Sequence, residues 1–211
     1  MNGSTAAPLA TFEGIGKKFG STVALDGLSF SVPEGWVGGL LGPNGAGKTT
    51  AIRVLLGLTG ATAGSTSLLG VTGQGSGFRE AVSQTGSLIE GPALYERASA
   101  RQNIRIHAAA KGMKNADNEI NELLELVGLS SRADSRAKGF SLGMKQRLGL
   151  AMALLGGPKL VILDEPTNGL DPSGIVEIRE LIKRLPERGT TVLVSSHLLS
   201  EVELMCDRAA I

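Results

Sequence analysis

A chain of 211 residues, 42% of them hydrophobic, is long enough for one sizeable domain or for a core domain carrying a small subdomain. Lys plus Arg (21) nearly cancels Asp plus Glu (20), which excludes a global field drawing the protein to nucleic acid or to an anionic membrane surface. Cys206 is the only cysteine, so a disulfide framework and a four-ligand zinc site are excluded, and a reducing, cytosolic compartment is expected.

The opening MNGSTAAPLA has neither a charged n-region nor a long apolar run and does not read as a signal peptide; residues 1–8 are expected to be disordered. No window reaches the ~20 apolar residues that a spanning helix requires. ATFEG and TVAL flank KKFG, and LSFSV alternates before PEGW turns the chain, which predicts short strands. Val37 to Leu41 is apolar on consecutive positions, as a strand buried on both faces should be. A helix is predicted from Lys48 to about Leu58, and the glycine-rich GVTGQGSGF (70–78) reads as a surface loop. Helices follow over 99–111 and 117–127, the second with Ile120, Leu123, Leu124 and Val127 on one stripe and Gly128 as its stop. His107, on the first of these, is expected at the surface.

A further helix over 142–155 ends at GGPK. Then come the strand LVILD, a helix over 175–185, the strand TTVLVSS and the helix LLSEVELM. This alternation predicts an α/β fold, a mainly parallel sheet with helices packed on it. The final RAAI reads as the first half of a strand, so the chain is expected to be a piece of a longer protein.

Between the strand at 37–41 and its helix lies GPNGAGKTT, residues 42–50. Gly42, Gly47, Lys48 and Thr49 satisfy G-x-x-x-x-G-K-[ST] in the strand-to-helix setting that the motif requires. Gly42, Gly45 and Gly47 permit backbone shapes and close approaches denied to other residues. The N–H groups along Gly42-Pro43-Asn44-Gly45-Ala46-Gly47-Lys48-Thr49-Thr50 can then converge on phosphate oxygens, with the helix adding its positive end. Lys48 offers a point charge for β- and γ-phosphates, and the Thr49 hydroxyl is placed to ligate Mg2+. A glycine-rich turn with a surface lysine is the bland alternative. The loop reads as the seat of a nucleotide triphosphate.

LVILDEP (160–166) ends a buried strand in two carboxylates, which are costly to bury unless paired or bound to metal. Asp164 can hold Mg2+ through water, and Glu165, pointing the other way, can orient and polarise an attacking water. The alternative is that both simply leave the core at the strand's end.

Together these residues resemble the ATP-binding subunit of ABC transporters, from about Phe12 to the end. FSLGMKQRLGLAMAL (140–154) is similar to the family's signature motif, NGLD (168–171) to its D-loop, SSH (195–197) to its switch histidine, and Phe19 to the aromatic that stacks on adenine. The resemblance implies a P-loop NTPase core with an N-terminal antiparallel β subdomain (1–88 and 157–211) and an inserted helical subdomain (89–156). It implies ATP hydrolysis with Mg2+, a permease on a separate chain, and a location on the inner face of the cell membrane, with no nucleic-acid partner. It also implies a head-to-tail homodimer in which each ATP lies between one copy's Lys48 and the other's Ser141 and Gly143. His197 would contact the γ-phosphate, and Asp171 would reach across the dimer while also capping a helix ahead of Pro172. On residue type alone, Ser141 is an ordinary N-cap, Phe19 a core phenylalanine and His197 structural.

Two departures are informative. Leu142 and Met144 replace the usual Gly and Gln of L-S-G-G-Q, and in GSLIEGPALYE the place of a glutamine is taken by Glu90, whose carboxylate can approach Mg2+ with a different charge and donor pattern. Both look like the branch associated with bacitracin and lantibiotic export. The competing readings are a non-transport ABC-type ATPase of translation or DNA repair, and a GTPase or small-molecule kinase sharing only the phosphate loop. The absent [NT]-K-x-D reader and the FSLGMKQ stretch speak against the latter pair.

Overall fold

The computed structural model describes residues 7–73 and 75–211; the disorder expected for residues 1–6 lies outside the described residues, as does Gln74 of the expected 70–78 loop. Pro8 already begins a strand. β1 (Pro8–Phe19) and β2 (Thr22–Pro33) form one long antiparallel hairpin in place of the three short strands read from the sequence. Register shifts between Phe12 and Ile15 and between Ile15 and Lys17 absorb Gly14 and Gly16 as bulges, so the glycines bend the strand without ending it. β3 (Val37–Leu41) leads through the glycine loop into α1 (Lys48–Leu55), three residues shorter than expected. Gly57 stops α1 in the left-handed region (φ 69°), with Leu58 N–H donating to Arg53 O at 2.8 Å and Gly57 N–H to Val54 O at 3.0 Å.

The stretch that follows was illegible. β4 (Ala63–Leu68) pairs with β1, and β5 (Val71–Thr72) begins the segment read as a loop. α2 (Phe78–Ser83) and β6 (Thr85–Leu88) complete it. Then come α3 (Ala100–Ala110), α4 (Asp117–Leu126), α5 (Leu142–Leu154), β7 (Leu160–Asp164), α6 (Pro172–Arg184), β8 (Thr191–Ser196), α7 (Leu199–Met205) and β9 (Arg208–Ala210). Ser99 starts α3 with a capping box closed by Gln102, and Gly128 ends α4 as expected.

The strands form an antiparallel sheet in the order β2-β1-β4-β5 and a parallel sheet in the order β6-β7-β8-β3-β9. The central strands β7, β8 and β3 of the parallel sheet are buried on both faces, and alternation along them divides the interior into two cores. Leu160 and Ile162 of β7, with Leu193 of β8, face α1 and the antiparallel sheet. Val161 and Leu163, with Val192 and Val194, face the core that contains Ile104, Leu124 and Leu148 of α3, α4 and α5. α5 lies so close to β6 that a Cβ at Gly86 would come within 2.0 Å of Ala153 O. Among the described residues no helix is long and apolar enough to cross a membrane.

Candidate active site

β3, β8 and β7 are neighbours in the parallel sheet, so the loops at their C-terminal ends open onto one place. The glycine loop holds its shape by contact with β2. Gly47 has φ 92°, and a Cβ there would lie 2.3 Å from Ala24 O, so conformation and space both demand glycine. Lys48, its side chain only 8% exposed, lies 2.6 Å from Gly42 O, 3.1 Å from Pro43 O and 3.0 Å from Glu165 Oε1. The two carbonyls accept hydrogen bonds from its ammonium, and the Glu165 carboxylate answers it as an ion pair.

The acidic pair divides its partners. Asp164 Oδ2 accepts the Thr49 hydroxyl at 2.7 Å, and Oδ1 accepts the Ser195 hydroxyl at 2.5 Å. Glu165 turns the chain through φ 50°, a region costly for a residue with a side chain, and its N–H donates to Ser195 Oγ at 2.9 Å. Its carboxylate takes partners other than those of Asp164, Lys48 on one side and His197 on the other. His197 Nδ1 lies 2.7 Å from Glu165 Oε2; a carboxylate only accepts, so that nitrogen carries the proton and Nε2 stays available. Thr49 Oγ1 and Asp164 Oδ2 supply the oxygen donors that a small hard cation takes, with water and phosphate oxygens to complete its octahedron.

The structure thus brings Lys48, Thr49, Asp164, Glu165 and His197 together. Glu90 lines the same cleft as Asp164 and Glu165, but its carboxylate is paired with Arg53 Nη2. Ser141 caps α5, accepting from Met144 N–H at 3.2 Å, and neither it nor Gly143 bonds to the glycine loop of its own chain. Asp171 takes the N-cap position of α6 ahead of Pro172, yet its carboxylate accepts the Ser173 hydroxyl at 2.7 Å, which holds its pKa below the ordinary value. Phe19 is not a core residue: it is 53% exposed at the β1–β2 turn, with Lys17 Nζ 4.7 Å from its ring centroid. His107, expected at the surface, is half-buried, and burial followed by the Lys111 charge lowers its pKa.

Two contributors escaped the sequence reading. Ser195 joins Asp164 to the Glu165 backbone, and the available signal was a serine inside a strand that is buried on both faces, in register with Asp164. Arg53 carried no motif.

Residues 25–168 match the family described as ABC transporter. The chain is 47% identical over 200 residues to the bacitracin transport ATP-binding protein BcrA of Bacillus licheniformis, covering 92% of this chain and 63% of BcrA. It is 44% identical over 191 residues to the lantibiotic transport ATP-binding protein SrtF of Streptococcus pyogenes, covering 90% of this chain and 81% of SrtF. The solved structure of cbiO1 from Clostridium perfringens, described as part of the ABC transporter complex cbiONQ, aligns with a TM-score of 0.84 at 29% identity, over 96% of this chain and 83% of its own. Against several bacterial relatives the chain spans 61 to 67% of their length.

Proposed function

The chain belongs to the ABC transporter family, and from that premise we propose that it is the ATP-binding and ATP-hydrolysing motor subunit of an exporter of the antibiotic or peptide type. What carries the reading is a single linkage: Glu165 is held between Lys48 of the glycine loop, at 3.0 Å, and His197 after β8, at 2.7 Å. A carboxylate fixed between a phosphate-seeking cation and an imidazole is poised beside the terminal phosphorus.

In this reading Lys48 and the amides of residues 42–50 bind the β- and γ-phosphates. Thr49 and Asp164 hold Mg2+, with Glu90 within the same cleft; when bound, the ion supplies neutralisation of phosphate charge. Glu165 orients the attacking water and accepts its proton. His197 reaches the γ-phosphate through Nε2, and Phe19 offers its exposed ring to adenine. Ser141, Gly143 and Asp171 serve the second half of each site: the start of α5, with Ser141 exposed, meets the triphosphate held by a second copy. Two copies then close head to tail around two ATP molecules.

The permease is a separate chain that docks near Glu90 to Tyr95 and the helices after it, where Pro92, His107 and Gly149 line a groove beside the cleft. The complex sits on the inner face of the cell membrane. The transport names of BcrA and SrtF favour this over a translation or DNA-repair ATPase. Two measurements test it. Lys48→Ala should abolish tight MgATP binding in equilibrium titrations, and unaltered binding would overturn the phosphate-seat assignment. Affinity purification from its host should bring down a hydrophobic membrane protein; ribosomes in its place would favour the translation reading.

A further inference from the structure

α1 carries more than the lysine of the glycine loop. Lys48 pairs with Glu165, Thr49 donates to Asp164, and Arg53, one turn beyond Thr49 on the same face, pairs through Nη2 with Glu90 Oε1. Each carboxylate lining the cleft thus has its own partner on a single helix. The first two pairs belong to the site described above, whereas no step there uses the third.

The two ends of that third pair differ in how they are fixed. Arg53 stands where α1 closes, its carbonyl accepting from Leu58 N–H at 2.8 Å and Thr59 N–H at 3.3 Å, so the base of its side chain is pinned. Glu90 and Gly91 follow one another through the left-handed region, with φ 58° and 93°, a shape that a glutamate keeps only when its surroundings hold it. The side chains are 44% and 62% exposed, so the ion pair is a weak, exchangeable tether. A bare Glu90 would add a further negative charge to a cleft that already holds Asp164 and Glu165. Arg53 cancels that charge and gives the bend its anchor.

We infer that Arg53 is a positioning residue. It keeps the Glu90 carboxylate on the α1 side of the cleft, which attenuates that carboxylate's pull on Mg2+ at Thr49 and Asp164, and it ties the Glu90–Tyr95 segment to the helix that carries the phosphate loop. This rests on the nucleotide site proposed above. A glutamine at position 90 would have no charge for Arg53 to hold, so the device belongs to the glutamate.

The test uses the full chain and a fluorescent ATP analogue, titrating Mg2+ against nucleotide retention for the wild type, Arg53→Met, Arg53→Lys, Glu90→Gln and the double variant Arg53→Met with Glu90→Gln. Backbone hydrogen exchange over residues 89–95 is followed in parallel. Arg53→Met should lower the Mg2+ midpoint about two- to fivefold, the range an exposed ion pair commands. Arg53→Lys should restore it, and in the Glu90→Gln background Arg53→Met should change nothing. Exchange at 89–95 should quicken in Arg53→Met and Glu90→Gln alike. An equal midpoint shift in both backgrounds, no shift in either, or unchanged exchange in Arg53→Met would overturn the inference while leaving the nucleotide site intact. A wild type that retains no nucleotide at any Mg2+ concentration, by contrast, would bring down the site and the inference together.

Discussion

At the scale of single residues, the site depends on polar groups that must be answered because water is excluded around them. Asp164 and Ser195 are both buried, so the Ser195 hydroxyl serves the Asp164 carboxylate and the Glu165 amide at once. Ser195→Ala leaves that amide without its acceptor; we expect a loss of about 1–3 kcal/mol in urea unfolding and a fall in ATP hydrolysis larger than the fall in ATP binding. Gly47→Ala is worse placed, with a left-handed φ and a carbonyl in the path of the new methyl, and should cost about 2–4 kcal/mol by the same measurement. Cys206 gives a pH dependence. Burial, with the Asp207 charge added, pushes its thiol from 9.0 up to about 12. The unfolded chain therefore loses this proton first as pH rises, so the residue's contribution is intact below about pH 9 and declines between about 9 and 12. The wild-type advantage in urea midpoint over Cys206→Ala should shrink across that window. Lys48, Thr49 and Asp164 stand out in the sequence because the proposed phosphate and magnesium chemistry restricts residue type and spacing. Ser195 does not, since its partner lies on another strand and a serine there resembles any strand residue.

At the scale of elements, the legible parts are those in which one physical signal dominates. β3 and β7 announce themselves as apolar runs, and β8 by its Val-Leu-Val centre, because both faces are covered; α4 does so by its stripe and its glycine stop. β1 and β2 were cut short on paper by glycines that the sheet absorbs as bulges. β4 and β5, rich in Ser, Thr and Gly, take their strand identity from pairing with β1 and with each other, a partnership that local sequence does not carry. α5 offers the sharpest experiment at this scale because its N-cap residue is assigned two duties. Ser141→Ala should cost about 1 kcal/mol of stability through the lost cap. Ser141→Asp keeps a capping oxygen but sets a negative charge where the second copy's phosphate would come, and should weaken ATP-driven association at least about tenfold. Equal association by Ser141→Asp and wild type would leave Ser141 a cap and nothing more.

For the whole molecule, the architecture sets the proposed motor. One sheet gathers the glycine loop, the acidic pair and His197 at the C-terminal ends of its strands, while Ser141 stands exposed at the start of α5, bonded as its cap. In the proposed motor each nucleotide site is completed by a second copy. That proposal draws on the family resemblance, because an N-cap serine looks the same whether or not a partner's phosphate rests on it. The most direct measurement is the solution mass, by size-exclusion chromatography with light scattering, of Glu165→Gln with and without ATP and Mg2+. The substitution keeps the side chain's size and shape beside Lys48 and His197 but removes the base, so ATP should be bound and not consumed. A mass that doubles with ATP, and fails to do so once Lys48→Ala is added, is the expected result; a variant that binds ATP tightly yet remains a monomer at every nucleotide and protein concentration would contradict the composite site.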